Sequence, residues 1–278
     1  MKKIKTILFS SVPFLLALGL QFVAVYYLLF IAAIFLFKIA PSVQGIPYRI
    51  DDLLKLTTNV DFNTVISIVF SVFCTVTFSL WYYRSYNGNF KVNIKKNFHP
   101  FELLGIVLLV PGTQFMSSIL TGMLSMAFPS WLEIYTELME NAGLSDNVSL
   151  IMIIYSVCLA PISEELIFRG VTFRIVRKAF PFWFANFMQA LFFGIFHLNP
   201  LQGCYTFILG LFMGYICEKG GTIYHAILFH MLFNLWGTTA SELLFMVDES
   251  TTGMIILFGT IIGLSAGFHF FHKGNRLK

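Results

Sequence analysis

The sequence predicts an all-α fold, a polytopic membrane helical bundle with about eight transmembrane helices. Two observations carry this. Hydrophobic residues make up 57% of the 278 and charged residues only 12%, with a mean hydropathy of +0.79, whereas soluble domains carry about 25% charged residues. The apolar residues are also gathered into long runs. Residues 6–37, 63–83, 103–132, 147–163, 179–217, 220–241 and 250–272 contain no Asp, Glu, Lys or Arg, and about 20 apolar residues suffice to cross a bilayer.

The expected crossings, in order, are 6–37, 63–83, 101–128, 149–178, 181–198, 204–217, 222–247 and 253–272. The first follows Lys2, Lys3 and Lys5, but its uncharged stretch far exceeds the roughly 7–15 residues of a signal-peptide core, so it reads as a helix that stays in the membrane. The charge-free run 179–217 is long enough for two passes. Two intervening segments, Lys38 to Phe62 and Pro129 to Asn147, are long enough for short interfacial helices. In the second, Trp131, Ile134 and Leu138 recur at helical spacing beside Glu133, Glu137 and Glu140, the pattern of a helix lying on the headgroups. Cys74, Cys158, Cys204 and Cys217 fall in predicted helices with no CxxC pairing and read as small apolar packing residues. No repeat or linker divides the chain, so residues 1–278 read as one membrane domain.

Basic residues orient it. With the N-terminus inside, fourteen fall on the cytoplasmic side (Lys2, Lys3, Lys5, Arg84, Lys91, Lys95, Lys96, Arg174, Arg177, Lys178, Lys219, Lys273, Arg276 and Lys278), and only Lys38, Arg49 and Lys55 fall outside. The positive-inside rule then puts both termini in the cytoplasm, with the cell (plasma) membrane as the expected location. The same bias accounts for the net charge of +4, which therefore points to no nucleic-acid partner.

The stretch PISEELIFRG, Pro161 to Gly170, sets two glutamates and an arginine inside an apolar run. Intramembrane charge is costly and is usually kept for function. Counting from the basic turn RIVRKAFP, Glu164 lies 16 residues before Phe180 and His197 lies 17 after it, each about 25 Å along its helix. From the second turn, EKGG, His230 and Asn234 lie 9 and 13 residues past Gly221, so three helices deliver polar groups to one layer. Glu165 and Arg169 are i and i+4, the favourable order for a helical ion pair. Glu164 points about 100° away, and His230 and Asn234 share one face of their helix. Pro161 removes a backbone hydrogen bond, and irregular backbone at that depth is tolerated where it lines a hydrated cavity. Alone, an acidic pair and an arginine serve equally as helix–helix glue or as a transport relay, and a lone histidine as a satisfied core residue. His225 reads as interfacial; His99, His269 and His272 lie at cytoplasmic ends. Gly210 and Gly214 form a GxxxG close-packing device.

EELIFR fits EExxxR, FGIFH (Phe193 to His197) fits FxxxH, and HMLFN (His230 to Asn234) fits HxxxN. In this order, on successive helices, the three motifs resemble the CAAX protease and bacteriocin-processing (CPBP) family, the type II CAAX-protease-like intramembrane endopeptidases. The resemblance covers about 147–236, making that the catalytic core and 1–146 additional N-terminal transmembrane helices. It implies that Glu164 activates a water, that His197 assists it, and that His230 and Asn234 stabilise the oxyanion. Glu165 and Arg169 then support the pocket. It also implies a membrane-associated substrate, either a prenylated CAAX protein or a bacteriocin or pheromone precursor. No cofactor is required by this chemistry. Zinc on Glu164, His197 and His230 is the alternative, since three protein ligands can make a catalytic zinc site, although HExxH is absent. Two other classes use the same residues: a transporter with a polar relay, against which the sequence shows no inverted repeat, and a non-hydrolytic immunity or scaffold protein.

Overall fold

The computed structural model describes residues 2–39, 50–86, 98–144, 148–239 and 249–278. Helices α1 (Lys2–Ser10) and α2 (Val12–Ile34) run into a π-turn at Phe35–Ile39 and together form the first long apolar stretch. There follow α3 (Ile50–Leu56), α4 (Val60–Tyr86), α5 (Pro100–Ala127) and α6 (Pro129–Asn141). Next come α7 (Leu150–Arg177), α8 (Phe182–Phe196), α9 (Pro200–Gly220), α10 (Ile223–Thr239) and α11 (Glu249–Arg276). Among the described residues, six helical stretches are long and apolar enough to cross a membrane. The other two crossings expected from sequence are α8, of 15 residues, and α10, described as far as Thr239. At 1.5 Å per residue α8 reaches about 22 Å, less than the hydrocarbon thickness of about 30 Å. The outer part of the expected 222–247 helix, and Arg49, Lys91, Lys95, Lys96, Asp146 and Asp248, lie outside the described residues.

Local chemistry sets the helix ends. At α5, His99 Nδ1 accepts from the Phe101 N–H at 3.2 Å while Glu102 Oε2 accepts from the His99 N–H at 3.2 Å. This reciprocal cap satisfies two otherwise orphaned donors. Asn199 caps α9 by accepting from the Gln202 N–H at 2.9 Å, and the helix stops at Gly221, whose φ of 80° a residue with a Cβ rarely adopts.

The bundle is built around α7, which packs on α2, α4, α8 and α10, while α5 pairs along its length with α11. The buried core joins Phe78, Ile167, Phe168, Phe193, Met213 and Phe229 from five helices. The GxxxG expectation holds: a Cβ on Gly210 would lie 3.0 Å from Ala190 of α8. One surface expectation needs correction, and it concerns His225 rather than α6. In α6 the apolar stripe divides, with Ile134 and Leu138 exposed while Trp131 and Tyr135, at i and i+4, are only partly exposed. Tyr135 lies beside Tyr205 of α9. His225 is fully buried rather than interfacial. It stacks on Phe98 at 4.3 Å, and its Nε2 lies 3.5 Å from Glu102 Oε2, which also takes Lys278 Nζ at 2.6 Å.

Candidate active site

The irregularity of α7 begins with one missing hydrogen. Around Pro161 the run changes register: π-turns at Tyr155–Leu159 and Leu166–Thr172 flank an α-helical segment, Ala160–Glu165. The Ala160 N–H, which in an α-helix would bond the Ser156 carbonyl, bonds Tyr155 O instead. The next donor along would be residue 161, and proline has none. Ser156 O is thus left without a backbone donor in either register. Asn234 of α10 supplies one, its Nδ2 donating to Ser156 O at 2.8 Å. A buried carbonyl needs such a partner, so the bend at Pro161 and the carboxamide at 234 belong together.

One turn further on, Glu165 and Arg169 form the expected ion pair, with Nη1 to Oε1 at 2.9 Å and both side chains fully buried. The same Glu165 oxygen also meets His230 Nδ1 at 2.9 Å. The supporting carboxylate therefore links α7 to α10 as well as pairing within α7. Arg169 continues the chain of contacts, donating from Nη2 to Gly210 O at 3.1 Å, where Gln189 Nε2 also donates at 2.9 Å. Its guanidinium carbon lies 4.6 Å from the centre of the Phe193 ring.

Glu164 points elsewhere, as its position on the helix predicts. Its side chain keeps 14% exposure, and Oε2 lies 3.8 Å from His230 Nε2. The two nitrogens of one imidazole thus face two successive carboxylates. Phe193, which opens the FxxxH motif, stands at the centre of the layer, its ring 5.1 Å from that of His197 and 5.9 Å from that of His230. His197 caps the end of α8. Leu198, directly after it, holds a φ of 53°, a left-handed conformation that costs a non-glycine residue roughly 1–2 kcal/mol and turns the chain sharply into α9. His197 Nε2 is buried and has no hydrogen-bond partner among the described residues.

The structure therefore brings Glu164, Glu165, Arg169 and His230 into direct contact, adds His197 through Phe193, and ties Asn234 to the irregular backbone. The zinc alternative fits less well. Among the described residues, no three His, Cys, Asp or Glu side chains converge as metal ligands do. Some neighbours were not legible in sequence. Tyr155 lies beside Ser67 and Ser71 of α4, and both Tyr155 and Tyr205 lie within electrostatic reach of Glu164. Ser163 Oγ also approaches Ser71 Oγ at 3.4 Å. Polar residues on an apolar helix such as α4 carry no spacing that ties them to a motif 90 residues away.

Comparison with curated proteins and with solved structures yields no match. Residues 146–236 match the family described as type II CAAX prenyl endopeptidase Rce1-like. That segment contains EExxxR, FxxxH and HxxxN, and it covers the polar layer just described. The chain is an integral membrane protein, and its segment 146–236, which carries these three motifs, is similar to the Rce1-like family of CAAX-type intramembrane endopeptidases.

Proposed function

We propose that the polar layer hydrolyses a peptide bond of a membrane-associated protein near the cytoplasmic face, with Glu164 as the general base. The observation that carries this is the contrast between the two glutamates. Glu165 is fully buried and committed to Arg169 and His230, whereas Glu164 keeps 14% exposure and turns toward the second imidazole nitrogen. A base must reach a water, and donors must face the carbonyl oxygen where negative charge develops. His197 Nε2 assists from the end of α8. His230, held by Glu165 through Nδ1, presents Nε2 toward Glu164 and the developing oxyanion. The proton taken by Glu164 passes to the leaving amine. Substrates of the prenylated CAAX type suit the family's description, and bacteriocin or pheromone precursors are the other class that the motif resemblance implies. Membrane proteomics of cells carrying wild type against Glu164→Gln tests the reading, since fragments lost in the variant identify the substrate. The donor set does not favour zinc, so a strong chelator leaves turnover unchanged. Loss of activity that added zinc restores would overturn that part.

Asn234 has two N–H groups, one given to Ser156 O and one free for the oxyanion. Asn234→Ala lowers turnover by about 100- to 1000-fold and also leaves Ser156 O unpaired, at about 1–3 kcal/mol. Asn234→Asp is at least as damaging, because a carboxylate repels both the Ser156 carbonyl and the oxyanion. Pro161→Ala restores a backbone donor beside that carbonyl, so it recovers part of the stability lost in Asn234→Ala and none of the turnover. Melting temperature and single-turnover rates for the two single variants and the double variant separate the two roles. An active Asn234→Asp enzyme rules out the oxyanion role.

The orientation is tested by labelling. Single cysteines at positions 178 and 219, in a cysteine-free background, react with impermeant thiol reagents from the cytoplasmic side, and one at 140 reacts from the outside. The reverse pattern inverts the topology and the side of cleavage.

A further inference from the structure

At the bundle end that carries Arg174, Arg177 and Lys178, the C-terminal halves of α9 and α11 and the start of α8 enclose an aromatic cleft of about 500 Å³. Trp183 forms one wall, 69% exposed, and is stacked on Tyr215 at 6.4 Å with an interplanar angle of 22°. Phe212 and Phe268 stack across the cleft at 5.7 Å. Its polar end is a single hydrogen bond, Tyr215 Oη to His272 Nε2 at 2.6 Å. Two cations flank that bond. Lys219 Nζ lies 6.0 Å from the Tyr215 ring centre, and Arg276 stands one turn beyond His272. Both are exposed and within electrostatic reach of His272. Glu218, the carboxylate adjacent to Lys219 in the chain, is engaged by Arg177 at 2.9 Å. Lys219 and Arg276 form no ion pair among the described residues.

An apolar slot ending in a tyrosine–histidine pair with two uncompensated cations has the chemistry of an acyl chain below a phosphate. We propose that this cleft is a binding site for one anionic phospholipid, its acyl chain lying along Trp183, Phe212 and Phe268 and its phosphate held by Lys219, Arg276 and His272. Aromatic residues at the membrane interface and basic clusters at the headgroup level are the features by which proteins select such lipids. Phe268, His272 and Arg276 lie outside the family-matched segment, so part of the site comes from the C-terminal helix. The assignment is independent of the catalytic reading.

The test uses the full chain in phosphatidylcholine vesicles containing a small fraction of bromine-labelled lipid, either phosphatidylglycerol or phosphatidylcholine, with tryptophan fluorescence as the readout. Brominated phosphatidylglycerol quenches more strongly at equal mole fraction, and the excess disappears in Trp183→Phe. One kcal/mol per surface cation corresponds to about fivefold, so the preference reaches up to about 30-fold for the pair. Lys219→Gln/Arg276→Gln removes it without lowering the melting temperature in detergent, since both side chains are exposed. Free inorganic phosphate does not compete, because it has no acyl chain to fill the cleft. Equal quenching by the two lipids, a preference that survives the double substitution or Trp183→Phe, or loss of the preference on adding phosphate would each overturn the proposal.

Discussion

Glu164→Gln lowers turnover by about 10²- to 10⁴-fold, the usual contribution of a positioned general base, while expression and melting temperature stay at wild-type values. The amide matches the carboxylate in size, so the packing around its partly exposed side chain is kept. It cannot accept a proton from water at neutral pH, so the chemical step fails. The substitution also leaves the buried contacts of Glu165 with Arg169 and His230 intact. Substrate binding is therefore retained, and the loss appears in kcat. His197→Ala produces a loss of the same kind. A Glu164→Gln protein that cleaves at the wild-type rate would falsify the assignment of the base, and a fully active His197→Ala enzyme would remove His197 from the mechanism.

Arg169→Ala has the largest expected effect on stability. The guanidinium is fully buried, bonded to Glu165 and to Gly210 O and packed on Phe193. Its removal leaves the Glu165 carboxylate uncompensated in a low-dielectric interior, at about 3–5 kcal/mol. Arg169→Lys recovers little, because an ammonium lacks the planar fork that reaches a carboxylate and a backbone carbonyl at once. Glu165→Gln is milder, since the amide oxygen keeps two lone pairs, one for Arg169 and one for His230, which already share one Glu165 oxygen. Unfolding followed in detergent or mixed micelles checks the order: Arg169→Ala below Arg169→Lys, and both below Glu165→Gln. A wild-type melting temperature for Arg169→Ala would show that water reaches the pair and that its burial is not maintained in the membrane.

Both predictions start from residues that the sequence exposes. EExxxR is visible because two acids and an arginine cannot hide in an apolar run, and i, i+4 spacing alone pairs Glu165 with Arg169. What spacing cannot show is the third member of that group. His230 is 65 residues away from Glu165, and only the packing of α10 on α7 sets its Nδ1 on the Glu165 oxygen. The same holds for the cluster of Glu102, His225 and Lys278. Glu102 sits just before an apolar run and looks like an ordinary interfacial acid, yet it is fully buried under the last residue of the chain. Interfacial and buried positions near a helix end share one sequence signature, because one turn of helix separates them.

Taken alone, the amino-acid sequence determined that this protein is a helical membrane bundle, because runs without charge have no other stable form in lipid, where every backbone group must bond within its own segment. It also carries the resemblance to the family whose model matches residues 146–236, through three motifs in order. Only the tertiary structure decided which residues of those motifs touch. Pro161 leaves Ser156 O without a donor, but which side chain fills the gap depends on which helix packs there, and Asn234 fills it because α10 crosses α7 at that height. Glycine at 210 reads as a packing device, yet its carbonyl also receives Arg169 and Gln189. Such contacts join segments far apart in the chain. They are set by how side chains of different helices fill shared volume, a property of the packed bundle that no single helix carries.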